Sequence, residues 1–170
     1  MKIIQDLKAK QQLYSGNGQD ISFFRVLLTD GTLANILFRL QSTSSSARLS
    51  VLAYFFHLLN KLINGCVIGI GARFDSGFVL IHPVGVVINS AVRGGSNILI
   101  ESGVVIGDNH GKSPVLGSNV FVGSGAKIIG GVRIGNHSNI GANAVVLSDV
   151  QDFSTAVGIP AKSFPNRSRS

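Results

Sequence analysis

Histidine is the side chain best suited to carrying protons near neutral pH. Two of the four histidines in this chain, His82 and His110, stand beside interruptions in an otherwise regular sequence. Around the second runs Asp108-Asn109-His110-Gly111-Lys112-Ser113-Pro114, a polar segment expected to project as a loop. Loops held by a rigid scaffold are where binding and catalysis concentrate. The other histidines read as structural: His57 packs or pairs among apolar neighbours near the N-terminus, and His137 lies in a regular stretch with no assigned role. Asp75 reads as a turn residue. Cys66 has no second cysteine and no adjacent base to activate it, so it reads as a small buried hydrophobe. A zinc site would need about three converging histidines. Only His82 and His110 are placed for that, and no metal is expected.

The element that must position these residues is a six-residue repeat. Leu116, Val122, Ile128, Ile134, Ile140 and Val146 recur at intervals of six, and the earlier heads are Ile68, Phe74, Leu80, Ile88, Gly94, Ile100 and Ile106. Such a period predicts short strands wound into a parallel β-helix. The spacing slips between Leu80 and Ile88, beside His82, and between Ile106 and Leu116, around His110. With three hexads per coil and the insertions subtracted, two core columns follow: Ile68–Ile88–Ile106–Ile128–Val146 and Leu80–Ile100–Val122–Ile140. Apolar ladders along one wall are what bury a solenoid core. The same arithmetic puts His82 in line with Ser102, Ser124 and Ala142, at the edge of a groove floored by small residues. A long ligand lying along the axis would fit there.

The first part of the chain reads as helical. Asp20 is expected to cap a segment through Leu28, Asp30-Gly31 to break it, and Thr32 to start a helix carrying Leu33, Ile36, Leu37 and Leu40. Ser42 to Ser46 reads as punctuation before a third helix, about 47–63, whose nearly continuous apolar character calls for burial against the prism or another subunit. This divides the chain into a helical cap (1–63), a β-helix (64–163) and a basic tail (164–170), the tail read as a frayed, solubilising terminus.

Hydrophobic residues make up 45% and charged residues 14%, with 21 glycines, which suits a stacked strand-rich protein that hides surface in an oligomer. A single cysteine fits a reducing compartment, and Met1 to Lys10 lacks the apolar core of a signal peptide, so a cytoplasmic protein is expected. No stretch approaches the roughly 20 apolar residues needed to span a bilayer. The net charge of +7 favours an anionic partner such as a phosphorylated cofactor. Scattered basic residues argue against nucleic acid.

Five segments carry a resemblance: Ile81-His82-Pro83-Val84-Gly85-Val86-Val87-Ile88-Asn89, Gly103-Val104-Val105-Ile106-Gly107, Gly123-Ser124-Gly125-Ala126-Lys127-Ile128-Ile129-Gly130, Ile140-Gly141-Ala142-Asn143-Ala144-Val145-Val146-Leu147 and Gly158-Ile159-Pro160-Ala161-Lys162. In this order they resemble the hexapeptide-repeat acyltransferases, in the branch that holds serine acetyltransferase and polysaccharide O-acetyltransferases. The resemblance implies an all-β, left-handed parallel β-helix of about five coils with an N-terminal α-helical cap. It also implies a homotrimer with sites between subunits and acetyl-coenzyme A as co-substrate. His82 matches the catalytic general base, and a backbone N–H at Gly107 or Asp108 would stabilise the oxyanion. Ser124 and Ala142 match positions that meet the pantetheine arm, and Lys162 one that meets the nucleotide phosphates. His110 would reach in as a second catalytic histidine, or else remain an exposed loop residue.

The chain departs from the serine acetyltransferase pattern at three positions. Ile81 replaces an aspartate before the histidine, Val67 replaces the carboxylate that orients it, and Ser113 replaces a second histidine. The expectation drawn is therefore an O-acetyltransferase acting on a sugar hydroxyl in capsule, exopolysaccharide or lipopolysaccharide biosynthesis. Serine O-acetyltransferase of cysteine biosynthesis is the alternative. A non-catalytic or metal-binding β-helix trimer is a third reading.

Overall fold

A computed structural model of the chain describes residues 2–16 and 21–166; Asp20 and the end of the basic tail lie outside the described residues. Among the described residues four helices come first: α1 (Lys2–Ser15), α2 (Phe23–Leu27), α3 (Thr32–Ser46) and α4 (Ser50–Asn64). Fifteen short strands follow, and they assemble into three sheets. Sheet one joins β1 (Val67–Ile68), β4 (Val87–Ile88), β7 (Val105–Gly107), β10 (Lys127–Ile129) and β13 (Val145–Val146). Sheet two joins β2 (Arg73–Phe74), β5 (Arg93–Gly94), β8 (Val115–Leu116) and β11 (Arg133–Ile134). Sheet three joins β3 (Val79–Leu80), β6 (Ile98–Ile100), β9 (Val120–Val122), β12 (Asn139–Ile140) and β14 (Ser154–Gly158), closed by the antiparallel β15 (Ala161–Pro165). The chain thus makes four complete coils. In a fifth, the second strand is reduced to one bridge, Ile134 to Val150.

The register follows the hexad heads. Ile68, Ile88, Ile106, Ile128 and Val146 pair in sequence along one wall. Leu80, Ile100, Val122 and Ile140 pair along another and continue to Ala156. All are buried. The third column holds the exceptional head Gly94, between Phe74 and Leu116. A Cβ at Gly94 would overlap the Phe74 and Ile98 side chains, so glycine is what leaves room for the Phe74 ring.

A solenoid has an open end, and the backbone groups of its first coil need partners. Here side chains of the helices supply them. Asn35 acts as a surrogate strand: its Nδ2 donates to Phe78 O at 2.5 Å and its Oδ1 accepts from Leu80 N at 2.7 Å. Asp6 Oδ1 accepts from Gly77 N and Phe78 N. The Arg39 guanidinium binds both Asp6 oxygens, at 2.6 and 3.0 Å, and donates to Phe74 O at 2.8 Å. Gln41 Nε2 and His57 Nδ1 meet Ile68 O. Phe38 closes the prism between these bonds, its ring centroid 5.2 Å from Phe78 and 6.0 Å from Phe74.

The helices differ in detail from expectation. Helix α1 precedes every helix located by apolar spacing, and two of its three buried residues, Asp6 and Lys10, are charged. Hydrophobic periodicity does not announce such a helix. Ser22 accepts the capping bond of α2, from Arg25 N. Helix α3 runs on through Ser42–Ser46, where Ser46 Oγ returns its bond to Ser42 O at 2.9 Å. Helix α4 buries only Ala53 and Asn60, leaving Val51, Tyr54, Phe55, Leu58 and Leu62 exposed rather than packed on the prism. No described helix is long and apolar enough to cross a membrane.

Replacing Asp6 with alanine strands a buried guanidinium and two strand N–H groups. The variant is expected to lose about 3–5 kcal/mol, read as a lower urea midpoint with an unchanged slope.

Candidate functional site

His82 follows β3, at the corner where the first coil turns from sheet three toward β4. Corner residues Gly85, Gly103, Gly125 and Asn143 stack above one another with φ of 74°, 67°, 72° and 57°, a conformation that glycine and asparagine adopt most readily. At the corner Gly103 N donates to Val84 O, Gly125 N to Ser102 O and Asn143 N to Ser124 O. Val84 therefore stands in line with Ser102, Ser124 and Ala142, and the two extra residues of this first corner set His82 outside the column that the repeat arithmetic assigned to it. Lys127 braces this corner, its Nζ donating to Gly103 O at 2.7 Å and Gly125 O at 2.8 Å. Ser102, Ser124 and Ala142 thus form a column of small residues along the axis above Val84.

The other wall at His82 comes from the helices. A cleft of about 390 Å³ is lined by Thr29, Asp30, Gly31, His82, Pro83 and Val84, with Leu27, Leu28, Leu33 and Ile63 at its apolar rim. Asp30 Oδ2 lies 3.3 Å from His82 Nδ1. The turn carrying Asp30 is pinned on the strand that leads to His82. Gly31 has φ 74°, and a Cβ there would overlap the Leu80 carbonyl. Buried Lys10 donates to the carbonyls of both Asp30 and Leu80. Burial drives the Lys10 ammonium down to about 8, against the opposing pull of Asp30. The Tyr14 hydroxyl is pushed up by burial and by the Asp30 and Glu101 carboxylates, which it therefore feels together.

The remaining sequence candidates lie elsewhere. Gly107 ends β7 and Asp108 opens the tight loop to β8, at a different corner and separated from His82 by the whole coil β4–β6. Asn109 and Lys112 bridge, Asp108 Oδ1 accepts from Gly111 N at 2.9 Å, and Ser113 Oγ donates to Asp108 Oδ2 and Asn89 Oδ1. His110, at φ 51°, sits exposed at the loop tip, so one chain does not bring it to His82. Lys162 is exposed on β15, paired with Val157. His137 stacks on Phe153 with centroids 4.7 Å apart, and lies 3.4 Å from Asn119 Nδ2 in a ladder of left-handed corner residues. Cys66 is fully buried, and burial pushes its thiol up to about 12. Among the described residues no group of three or more His, Cys, Asp or Glu could hold a metal ion.

The residues that sequence reasoning missed are Asp30 and Lys10. In the sequence Asp30 figures only as a helix breaker. The signal that it does more is its Asp-Gly step, but nothing periodic connects that step with His82.

Comparison with known proteins bears on the acceptor. The bacterial transferase hexapeptide family (six repeats) matches residues 113–148. A serine acetyltransferase of Helicobacter pylori strain J99 is 39% identical over 141 residues, covering 81% of this chain and 82% of the relative. That of Bacillus subtilis strain 168 is 33% identical over 146 residues, covering 83% and 67%. This chain belongs to the serine acetyltransferase family. Among solved structures, the Neisseria gonorrhoeae serine acetyltransferase superposes with a TM-score of 0.88 at 31% identity, over 99% of this chain and 66% of that one. The soybean enzyme, solved with serine, gives 0.86 at 29%, over 95% and 68%. The fold is accordingly the left-handed β-helix of these acetyltransferases, and the protein is an acyltransferase.

The expected sugar acceptor is thereby corrected: the named relatives are serine acetyltransferases. The physical reason lies in the weight given to Ile81, Val67 and Ser113. Absent carboxylates at two positions of the prism do not amount to an absent carboxylate at the histidine, because Asp30 stands beside the ring from outside the prism.

Because Lys10 falls from the ordinary 10.5 to about 8 on folding, the unfolded chain binds its proton more tightly between those values. Stability should therefore rise as the pH goes from about 8 toward 10.5. Lys10→Met removes that rise and, by stripping two carbonyls of their donor, costs about 1–3 kcal/mol at pH 7. Urea unfolding of both proteins across this range checks it.

Proposed function

We propose that this protein is a serine O-acetyltransferase that uses acetyl-coenzyme A, with His82 as the general base. The observation that carries the reading is kinship over most of both chains, 39% identity across 82% of a named serine acetyltransferase. The setting of His82 supports the chemistry: an exposed imidazole lining a cleft, with the Asp30 carboxylate 3.3 Å from Nδ1. Nε2 takes the proton of the serine hydroxyl as its oxygen attacks the thioester carbonyl. Charge collects on the carbonyl oxygen, where the backbone N–H of Gly107 or Asp108 receives it. The C–S bond then breaks, and the His82 imidazolium returns its proton to the departing sulfur. Ser124 and Ala142 offer backbone groups to the pantetheine arm, and Lys162 its charge to the nucleotide phosphates.

The separation of His82 from the Gly107–His110 corner within one chain supports a homotrimer in which a neighbouring copy brings that loop to the base. His110 is then the second histidine of the site. In this reading residues 1–63 cap the prism and residues 64–163 carry the site, β15 runs two residues past that expected boundary to Pro165, and the basic tail after it is solubilising. A single cysteine, Cys66, suits work in the cytoplasm.

Release of coenzyme A from acetyl-coenzyme A, measured with and without serine, tests the proposal. Serine-dependent turnover is expected, falling about 10²–10⁴-fold in His82→Ala. Absence of any serine dependence in the wild type overturns the acceptor, and an unaffected His82→Ala overturns the base.

A further inference from the structure

His82 touches the helical cap as well as the prism. We infer that Asp30 is the positioning residue of His82: its carboxylate accepts the Nδ1–H and so leaves the Nε2 lone pair facing the cleft. The inference rests on the reading of His82 as base and adds a residue that lies outside the β-helix.

Three observations carry it. First, the two groups are in contact, with Asp30 Oδ2 3.3 Å from His82 Nδ1, within ion-pair range and a small ring rotation away from a hydrogen bond. Second, the prism positions where the family pattern has carboxylates are apolar, since Val67, paired with Val87, and Ile81, before the ring, carry none. Third, the backbone beneath Asp30 is fixed to the backbone leading to His82. Lys10 bridges the Asp30 and Leu80 carbonyls, Gly31 lies against Leu80, and Asn35 holds Leu80 N at 2.7 Å. A loop on one element and an imidazole on another are thus held in one frame, as orientation of a general base requires. The Asp30 side chain is 76% exposed, so the contact tightens into a hydrogen bond when a bound acceptor displaces water.

Asp30→Asn tests this with the frame's hydrogen bonds kept, because Lys10 donates to the backbone carbonyls of Asp30 and Leu80; the substitution withdraws only the pull of the carboxylate charge on the Lys10 ammonium. A carboxamide can donate to Nδ1 and put the proton on Nε2, which disables the base. We expect kcat with serine to fall about tenfold to a hundredfold, less than for a buried carboxylate. KM for serine and for acetyl-coenzyme A should stay within about twofold of wild type. Nitrogen NMR of labelled histidine should show the Nδ1-protonated form of His82 dominant in the wild type and losing that dominance in Asp30→Asn. An unchanged kcat, a loss confined to KM for serine, or an unchanged tautomer each overturns the inference. If the wild type does not use serine, the proposed acceptor fails. The tautomer measurement, made on the free protein, still decides the Asp30–His82 pairing.

Discussion

An open solenoid end is the constraint on which the rest of this structure depends. Each coil satisfies the backbone of the next, so the first coil presents carbonyl and N–H groups with no strand beneath them. Ile68, Phe74, Phe78 and Leu80 expose their carbonyls on that edge, and Gly77, Phe78 and Leu80 their N–H groups. The chain meets them with Gln41, His57, Arg39, Lys2, Asn35, Lys10 and Asp6. Leaving such groups unpaired costs about 1–3 kcal/mol each, which makes the polar layer as necessary as the apolar ladder above it. Asp6 and Arg39 are buried to serve this layer, and their mutual bonds offset the cost of desolvating both charges.

This constraint also explains where the proposed base lies. His82 belongs to the first coil, immediately beyond the edge residue Leu80, so whatever satisfies that edge is close to the imidazole. Lys10 serves both purposes at once, since the carbonyls it bridges belong to the edge strand and to the turn bearing Asp30. The wider spacing between Leu80 and Ile88 then has a physical meaning. A regular hexad would carry the chain directly into β4. The longer corner lets His82 stand out against the helices.

The prism is legible in the sequence because its physics is periodic. A head residue every six positions fixes both core columns and their register, and the two slips mark the corners that bear His82 and His110. The helical layer is harder to read for the opposite reason. Its contacts are single, polar and long-range, as between Asn35 and Leu80 or Asp6 and Gly77. Neither propensity nor hydrophobic spacing records them. Ser42–Ser46 misleads because serine favours caps and turns in isolation. In α3 the packed face, including buried Gln41 and Ser44, overrides that preference. The acceptor is obscured in the same way, since matching motifs position by position cannot see a carboxylate delivered from another element.

One consequence of this division of labour is visible on the outside of the helical layer. Helix α3 turns polar residues inward to the coil edge and lends the prism only Ala34 and Phe38. Helix α4 cannot reach the prism core through it and seats itself with Ala53 and Asn60, the latter bonded to Ala34 O at 3.1 Å. Its remaining apolar side chains, from Val51 at 86% exposed to Leu62 at 70%, face outward. A contiguous apolar face of this kind is characteristic of surfaces that associate. Its presence follows from what the cap must do. The inner face had to be polar to complete a backbone, so the hydrophobic residues that make α4 a helix were left on the other side.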